Sequence, residues 1–367
     1  MSEIYRRRIQ QLQKIMVENG IDAIGIIDLP NYIYYSGDIR KQPRLYIPSS
    51  GEPLLVIFKG EEDEVKRNSW IKNIATYTNL HEMMKAVMAW IEEHRVKKMG
   101  FDMEFSLPAF LLQRFRMAVP NVEVVDARDI LMEQRMIKNE DEIRLIKKAQ
   151  EIAIIGMKKA EEVLSDGIKE YELTNEIEYA MRKAGAEAFS FHTFVNSGYR
   201  SSWLHGLSTR KEIGRKETIL IDVGPVYMGY CGDMTRMFYT GKADEKLRDL
   251  VKTYLKARNV AVEKARPGSL MMDLDNAVQG YLSKMGFVGH FVRGIAHGIG
   301  LAFEEKPFPT IFPQDTMIEL RSNMTLSIGH SILYRPEVGG VRVEDIYLIT
   351  EEGAQILTNY SGELIEV

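Results

Sequence analysis

Two apolar strands that each run into an aspartate constrain this chain more than any other feature. Thr218-Ile-Leu-Ile-Asp222-Val-Gly reads as a buried strand closing on a carboxylate, and Gly229-Tyr-Cys-Gly-Asp233-Met-Thr-Arg236 presents a second one. A glycine-bearing turn between them makes a hairpin and brings Asp222 and Asp233 side by side. Like charges that close are unfavourable unless a cation or a shared proton compensates. A pair of carboxylates solvated at a sheet edge is the other reading this pattern leaves open. Strands paired by hairpins imply an antiparallel sheet with helices on one side, an α+β layer rather than a Rossmann sheet.

The remainder of the chain fits around that sheet. Ile9, Leu12 and Met16 form a helical stripe stopped at Gly20, followed by short apolar runs at Ala23–Ile27, Tyr32–Tyr35 and Leu54–Phe58. The turn Ser49-Ser-Gly-Glu52 predicts a hairpin between the segment around Leu45 and the third run. Met84, Val87 and Ile91 mark another helix before the strand-like Lys98–Phe101, and the helix Pro108–Met117 leads into Val122–Val125. These features describe a small α/β domain over 1–127, with 128–138 as a linker. Asn139 with Glu142 is a capping box that opens a long amphipathic helix carrying Ile146, Ala149, Ala153, Met157, Ala160 and Leu164 on one face. Further helices are expected near 169–184, 244–265 and 271–285, within a second domain over 139–367.

Composition excludes several function classes. Forty-eight basic against 52 acidic side chains leave a net charge of −4, which argues against a protein built to coat nucleic acid. Cys231 is the only cysteine, so an intrachain disulfide and a multi-cysteine zinc site are excluded, and a reducing cytoplasm is the expected setting. No apolar run approaches the roughly 20 residues that span a bilayer. The start Met1-Ser-Glu-Ile-Tyr-Arg-Arg-Arg lacks the apolar core of a signal peptide, so no membrane partner is expected.

Three more residues join the aspartates as candidates. His297 lies among small residues in Arg293-Gly-Ile-Ala-His297-Gly-Ile-Gly300, and taken alone it reads more readily as a hydrogen-bonded structural histidine. Arg342 and Glu344, in Gly339-Gly-Val-Arg342-Val-Glu344-Asp345, share one strand face. Two Asp, one His and one Glu form an oxygen-rich set suited to Mn, Co, Zn or Fe, and the adjacent Arg342 could clamp a substrate carboxylate.

The chain resembles the pita-bread metallopeptidase superfamily (peptidase M24), in particular Xaa-Pro dipeptidases (prolidases) and Xaa-Pro aminopeptidases, with creatinase as a relative. The phrases that carry this are Asn31-Tyr-Ile-Tyr-Tyr-Ser-Gly37, Asn196-Ser-Gly, Ile221-Asp-Val-Gly, Gly232-Asp-Met-Thr-Arg, His297-Gly-Ile-Gly and Gly340-Val-Arg-Val-Glu-Asp, in that order along nearly the whole length. The resemblance implies a creatinase-type N-terminal α/β domain and a pita-bread domain whose curved antiparallel sheet carries the site on its concave face. It also implies hydrolysis of the amide bond of small peptides, of the Xaa-Pro type, with one or two divalent ions (Mn, Co or Zn). By motif, Asp222, Asp233, His297 and Glu344 match metal ligands, His205 matches a histidine that contacts substrate, and Arg342 matches the arginine two residues before the last ligand. Relatives with this N-domain commonly dimerise, so a homodimer is implied, with Arg44 reaching towards a neighbour's site.

The sequence also departs from the family. Where the family carries Glu-Pro-Gly, with the glutamate both a ligand and a proton relay, this chain reads Ser327-Ile-Gly329-His330-Ser331. Gly329 falls on the ligand position, and a one-residue shift sends His330 to the opposite face unless a bulge intervenes. Arg293 and Glu304 stand where the family has two substrate histidines, and Glu305 is retained. Three readings follow. One is a metal-dependent peptidase with an altered centre, in which Glu304 reaches into space vacated at Gly329. Another is a metal-free creatinase-like C–N hydrolase that moves protons with His205, Glu304 and Glu344. The last is a non-catalytic binding relative.

Overall fold

The computed structural model describes residues 2–104 and 107–367. Met1, part of the leader reading, lies outside them. The chain divides into two compact units, Met1–Arg135 and Met136–Val367. None of the described helices is long and apolar enough to cross a membrane.

The N-terminal unit is built on a six-stranded mixed sheet. Its strands run Ile74–Tyr77, Leu54–Phe58, Leu45–Pro48, Ala23–Ile26, Lys98–Phe101 and Glu123–Asp126 across the sheet. Leu45–Pro48 pairs antiparallel with Leu54–Phe58, the expected hairpin. The first helix, Ser2–Glu18, buries the expected stripe of Ile9, Leu12 and Met16. Each such apolar side chain contributes about 1.5–3 kcal/mol when fully removed from water.

Two segments differ from expectation. The run Tyr32–Tyr35 is helical, within Leu29–Ser36. Asp28 accepts from the Asn31 amide as N-cap, Pro30 occupies the first turn, and Gly37 closes the helix at φ +71°. Those end signals outweigh the strand propensity of three tyrosines and an isoleucine. Residues 128–138, expected to be a linker, carry the helix Arg128–Met136. Leu131, Met132, Arg135 and Met136 are buried there, at a helical spacing that the surrounding charges obscure.

In the C-terminal unit the helices Glu140–Val163, Glu170–Lys183, Glu245–Lys264 and Met271–Lys284 follow the expected positions closely. The capping box is formed: the Glu142 amide donates to Asn139 Oδ1 and the Asn139 amide to Glu142 Oε2, each at 3.0 Å. Two four-stranded sheets make up the centre. One has the order Ile365–Glu366, Met234–Tyr239, Thr218–Val223, Phe194–Ser197, and the other Ala296–Gly298, Thr325–Ile328, Asp345–Thr350, Gly353–Ile356. Ile152, Met157, Leu173 and Ile177 from the first helix pair pack on Ile219, Ile221 and Phe238 of the first sheet. Leu250, Tyr254, Leu274 and Val278 from the second pair pack with Leu326, Ile328 and Tyr347 of the second. A bridge between Thr235 and Glu344 joins the two sheets at a seam.

Candidate metal centre

The seam collects the carboxylates. Strands Thr218–Val223 and Met234–Tyr239 are antiparallel with Asp222 opposite Thr235. Asp233, two residues before Thr235, therefore shares its face, as the hairpin pattern predicts. The turn is more elaborate than expected: the ladder continues through Val226↔Cys231 and Tyr227↔Tyr230 and closes on Met228 and Gly229 at φ +47° and +82°. Gln150, which sequence reasoning missed, fixes the break before Asp233. Its amide nitrogen donates to the Asp233 carbonyl at 2.9 Å, and its oxygen accepts from the Asp233 amide at 2.8 Å. Gly232 allows a close approach here, since a Cβ would lie 2.9 Å from Gln150 Oε1 and 3.0 Å from the Ala149 backbone. The one available signal was a polar Gln150 beside Ala149 and Ala153 on an otherwise apolar helix face.

The second sheet supplies the other donors. His297 pairs in register with Ser327, and Glu344 directly precedes the strand Asp345–Thr350. His297 Nδ1 lies 3.0 Å from the Gly298 carbonyl, which can only accept, so Nδ1 carries a proton and Nε2 is the atom turned towards the carboxylates. Nε2 lies 3.6 Å from Asp233 Oδ2 and 3.5 Å from Glu344 Oε1. Asp222, Asp233, His297 and Glu344 thus converge, all of them buried.

Arg342 borders the cavity, yet its guanidinium is engaged mainly within the protein, which weighs against the substrate clamp that the sequence suggested. Nη2 donates to Asp222 Oδ2 at 2.5 Å and to Glu344 Oε2 at 2.8 Å, Nε reaches the same Glu344 oxygen at 3.0 Å, and Nη1 reaches the Leu204 carbonyl at 3.3 Å. Thr235 Oγ1 donates to Glu344 Oε2 and Ser327 Oγ to Oε1. Arg342 is a fixed counter-charge that orients two carboxylates.

His330 also enters this site, against the alternation of its strand. Beyond Ile328↔Ala296 the amides of Gly329 and His330 both donate to the single carbonyl of Ile295, at 2.8 and 3.2 Å. Two residues facing one make a β-bulge, which cancels the one-residue shift. His330 Nδ1 lies 3.4 Å from Glu344 Oε1, and its ring centre is 4.9 Å from that of His297. Gly329 vacates no space: it has φ +125°, and a Cβ there would sit 2.1 Å from the Val343 carbonyl oxygen. Glu304 accordingly does not replace the missing carboxylate. It stands on the wall, its Oε1 3.8 Å from His330 Nε2. Arg293 is turned away, pairing with Asp275 at 3.3 Å on the surface.

Burial dominates the electrostatics. It pushes Asp222 up to about 7, with Arg342 opposing and Glu344 adding to the rise. Asp233 is raised well above the usual range by burial and then by the charges of Glu344 and Asp222. Burial also works against ionised Glu344, yet Arg342 and the two histidines hold it well below that range. Glu304 is raised by burial, while His205 is lowered by burial and by Arg342. A proton-accepting imidazole and a protonatable carboxyl therefore share one wall.

The fit to a cation is read from atoms lacking partners. Asp222 Oδ1, Asp233 Oδ1, His297 Nε2 and His330 Nδ1 are buried and make no hydrogen bond. Four such atoms in one place cost several kcal/mol unless something binds them. Among the described residues two three-donor groups form, Asp222–Asp233–Glu344 and His297–His330–Glu344, each with donor atoms within 4.8 Å of one another and with Glu344 common to both. A cavity of about 400 Å³ opens onto them, lined also by the clustered rings of Phe191, Phe194 and Phe303 and by His192, His205 and Glu304.

Comparisons with known proteins identify the family and the fold. Residues 144–351 match metallopeptidase family M24, and residues 8–137 match the creatinase/prolidase N-terminal domain. A Xaa-Pro dipeptidase of Pyrococcus horikoshii is 32% identical over 363 residues, spanning 99% of this chain and 100% of that protein. The Xaa-Pro dipeptidase of Pyrococcus furiosus is 32% identical, spanning 98% and 100%. Among solved structures, the prolidase of P. horikoshii OT3 superposes with a TM-score of 0.89 at 31% identity, covering 98% of this chain and 100% of that one. The X-Pro aminopeptidase of Thermotoga maritima gives 0.87 at 26% identity, covering 98% and 99%.

Proposed function

Because the chain belongs to metallopeptidase family M24 and carries that family's creatinase-type N-terminal domain, we propose that it hydrolyses the amide bond of Xaa-Pro dipeptides with divalent metal held by Asp222, Asp233, His297 and Glu344. One observation carries the reading: two buried aspartates and two buried histidines present partnerless atoms around Glu344 beside a small cavity. When bound, the ion, Mn, Co or Zn, supplies Lewis acidity for peptide hydrolysis.

The chain's own residues do the rest. Arg342, Thr235 and Ser327 hold Glu344, and Gln150 holds the Asp233 backbone, so the donors are set before substrate arrives. The phenylalanine wall receives an apolar imino ring and excludes water from one side of the scissile bond. Glu304 stands as the proton carrier in place of the family's missing glutamate, and His205 donates to or accepts from the substrate. A homodimer and a cytoplasmic location belong to the same proposal.

The test is a substrate panel under Mn, Co and Zn. Xaa-Pro dipeptides are expected to turn over, with turnover lost on chelation and restored by adding metal. Hydrolysis of creatine-like amidines that survives chelation, with no dipeptide cleavage, contradicts the proposal and favours a creatinase-like enzyme.

A further inference from the structure

The site's departure from its family is local, and the fold has been shaped around it. The bulge needs glycine at 329, since any Cβ there meets the Val343 carbonyl and, at 2.8 Å, Glu344 Cα. The Tyr254 hydroxyl, buried in the helix Glu245–Lys264, shares its single proton between the carbonyls of Gly329 and Ser331, the residues flanking His330. Such bracing fixes the imidazole's aim and would be superfluous for a side chain left at a strand edge. Its Nδ1 is buried without a hydrogen-bond partner and faces Glu344 Oε1, which His297 Nε2 also approaches.

Resting on the metal-site reading above, we propose that His330 is a metal ligand presented by the Gly329 bulge, making this half of the centre a two-histidine, one-carboxylate site. Its donors are the mutually adjacent His297, His330 and Glu344. Exchanging a carboxylate for an imidazole removes one negative charge and replaces a hard oxygen with nitrogen. Imidazole favours Zn, Fe and Co over Mn, whereas carboxylates suit Mn. The chain should therefore prefer zinc or cobalt to manganese at this half.

Chelator-stripped protein titrated with Co(II), followed by visible absorption and calorimetry, tests this without reference to turnover. His330→Ala is expected to weaken the binding of at least one ion by on the order of 100-fold, since loss of a ligand should match or exceed the loss of an outer partner. His330→Glu is expected to move the Mn-over-Co preference at least about tenfold towards Mn. His330→Gln, which keeps the bulk, serves if the alanine variant does not fold, as judged by circular dichroism, and X-ray absorption at the cobalt edge should show one imidazole fewer per protein in either variant. Co(II) binding and imidazole count unchanged within twofold in the folded variants overturn the role of His330 while leaving the metal site intact. Wild-type protein that binds no Co(II) overturns the site and this ligand together.

Discussion

Asp233→Asn should abolish metal binding and turnover together, while leaving the metal-free protein as stable as before or more so. The substitution keeps shape but removes one of three negative charges from the donors. Gln150 pins the Asp233 backbone on both sides, so no neighbouring main chain can shift to supply another oxygen. Metal affinity should fall by more than about 100-fold, beyond the cost of losing an outer partner alone. Stability should move differently. Burial and the neighbouring carboxylates hold Asp233 well above its usual range, so its ionised form is a cost in the metal-free fold, and a neutral amide relieves it. Thermal unfolding with and without Mn measures both parts. Wild type should gain stability as metal rises, and the variant should show no gain. Turnover retained in Asp233→Asn would mean that Asp233 is not a ligand.

Arg342→Ala should do the reverse to the metal-free protein. Removing this buried guanidinium leaves Asp222 and Glu344 facing each other with no fixed cation, and breaking one partner of a buried ion pair costs about 3–5 kcal/mol. For a unit of this size that is roughly 10 °C in unfolding temperature. Added metal should recover part of the loss. Activity should fall equally towards free-acid and amidated substrates, because Arg342 acts through the donors it orients. A selective loss for free acids would restore the clamp role that the sequence suggested.

The sequence showed the helices of the C-terminal unit almost to the residue, because capping residues and apolar stripes are local signals. It also placed Asp222 beside Asp233, since hairpin pairing follows from the turn between two strands. What it could not show depends on contacts distant in sequence. Arg342 reads as a free cation until Asp222, 120 residues earlier, is folded against it. His330 reads as pointing away because alternation assumes an unbroken ladder, and the bulge depends on Ile295 and Tyr254 from other elements. Gly329 looked like a deletion that left a hole, whereas its positive φ is what turns the next side chain inward. The linker at 128–138 failed for a simpler reason, as a short charged helix has too few apolar positions to show its period.

The most direct measurement is metal uptake by stripped protein at equilibrium, counted as ions per chain under saturating Mn, Co and Zn in turn. The account predicts one or two ions per chain, held by wild type and lost in Asp233→Asn. No bound ion with any of the three metals would contradict it, leaving four buried, partnerless atoms without the cation that explains their arrangement.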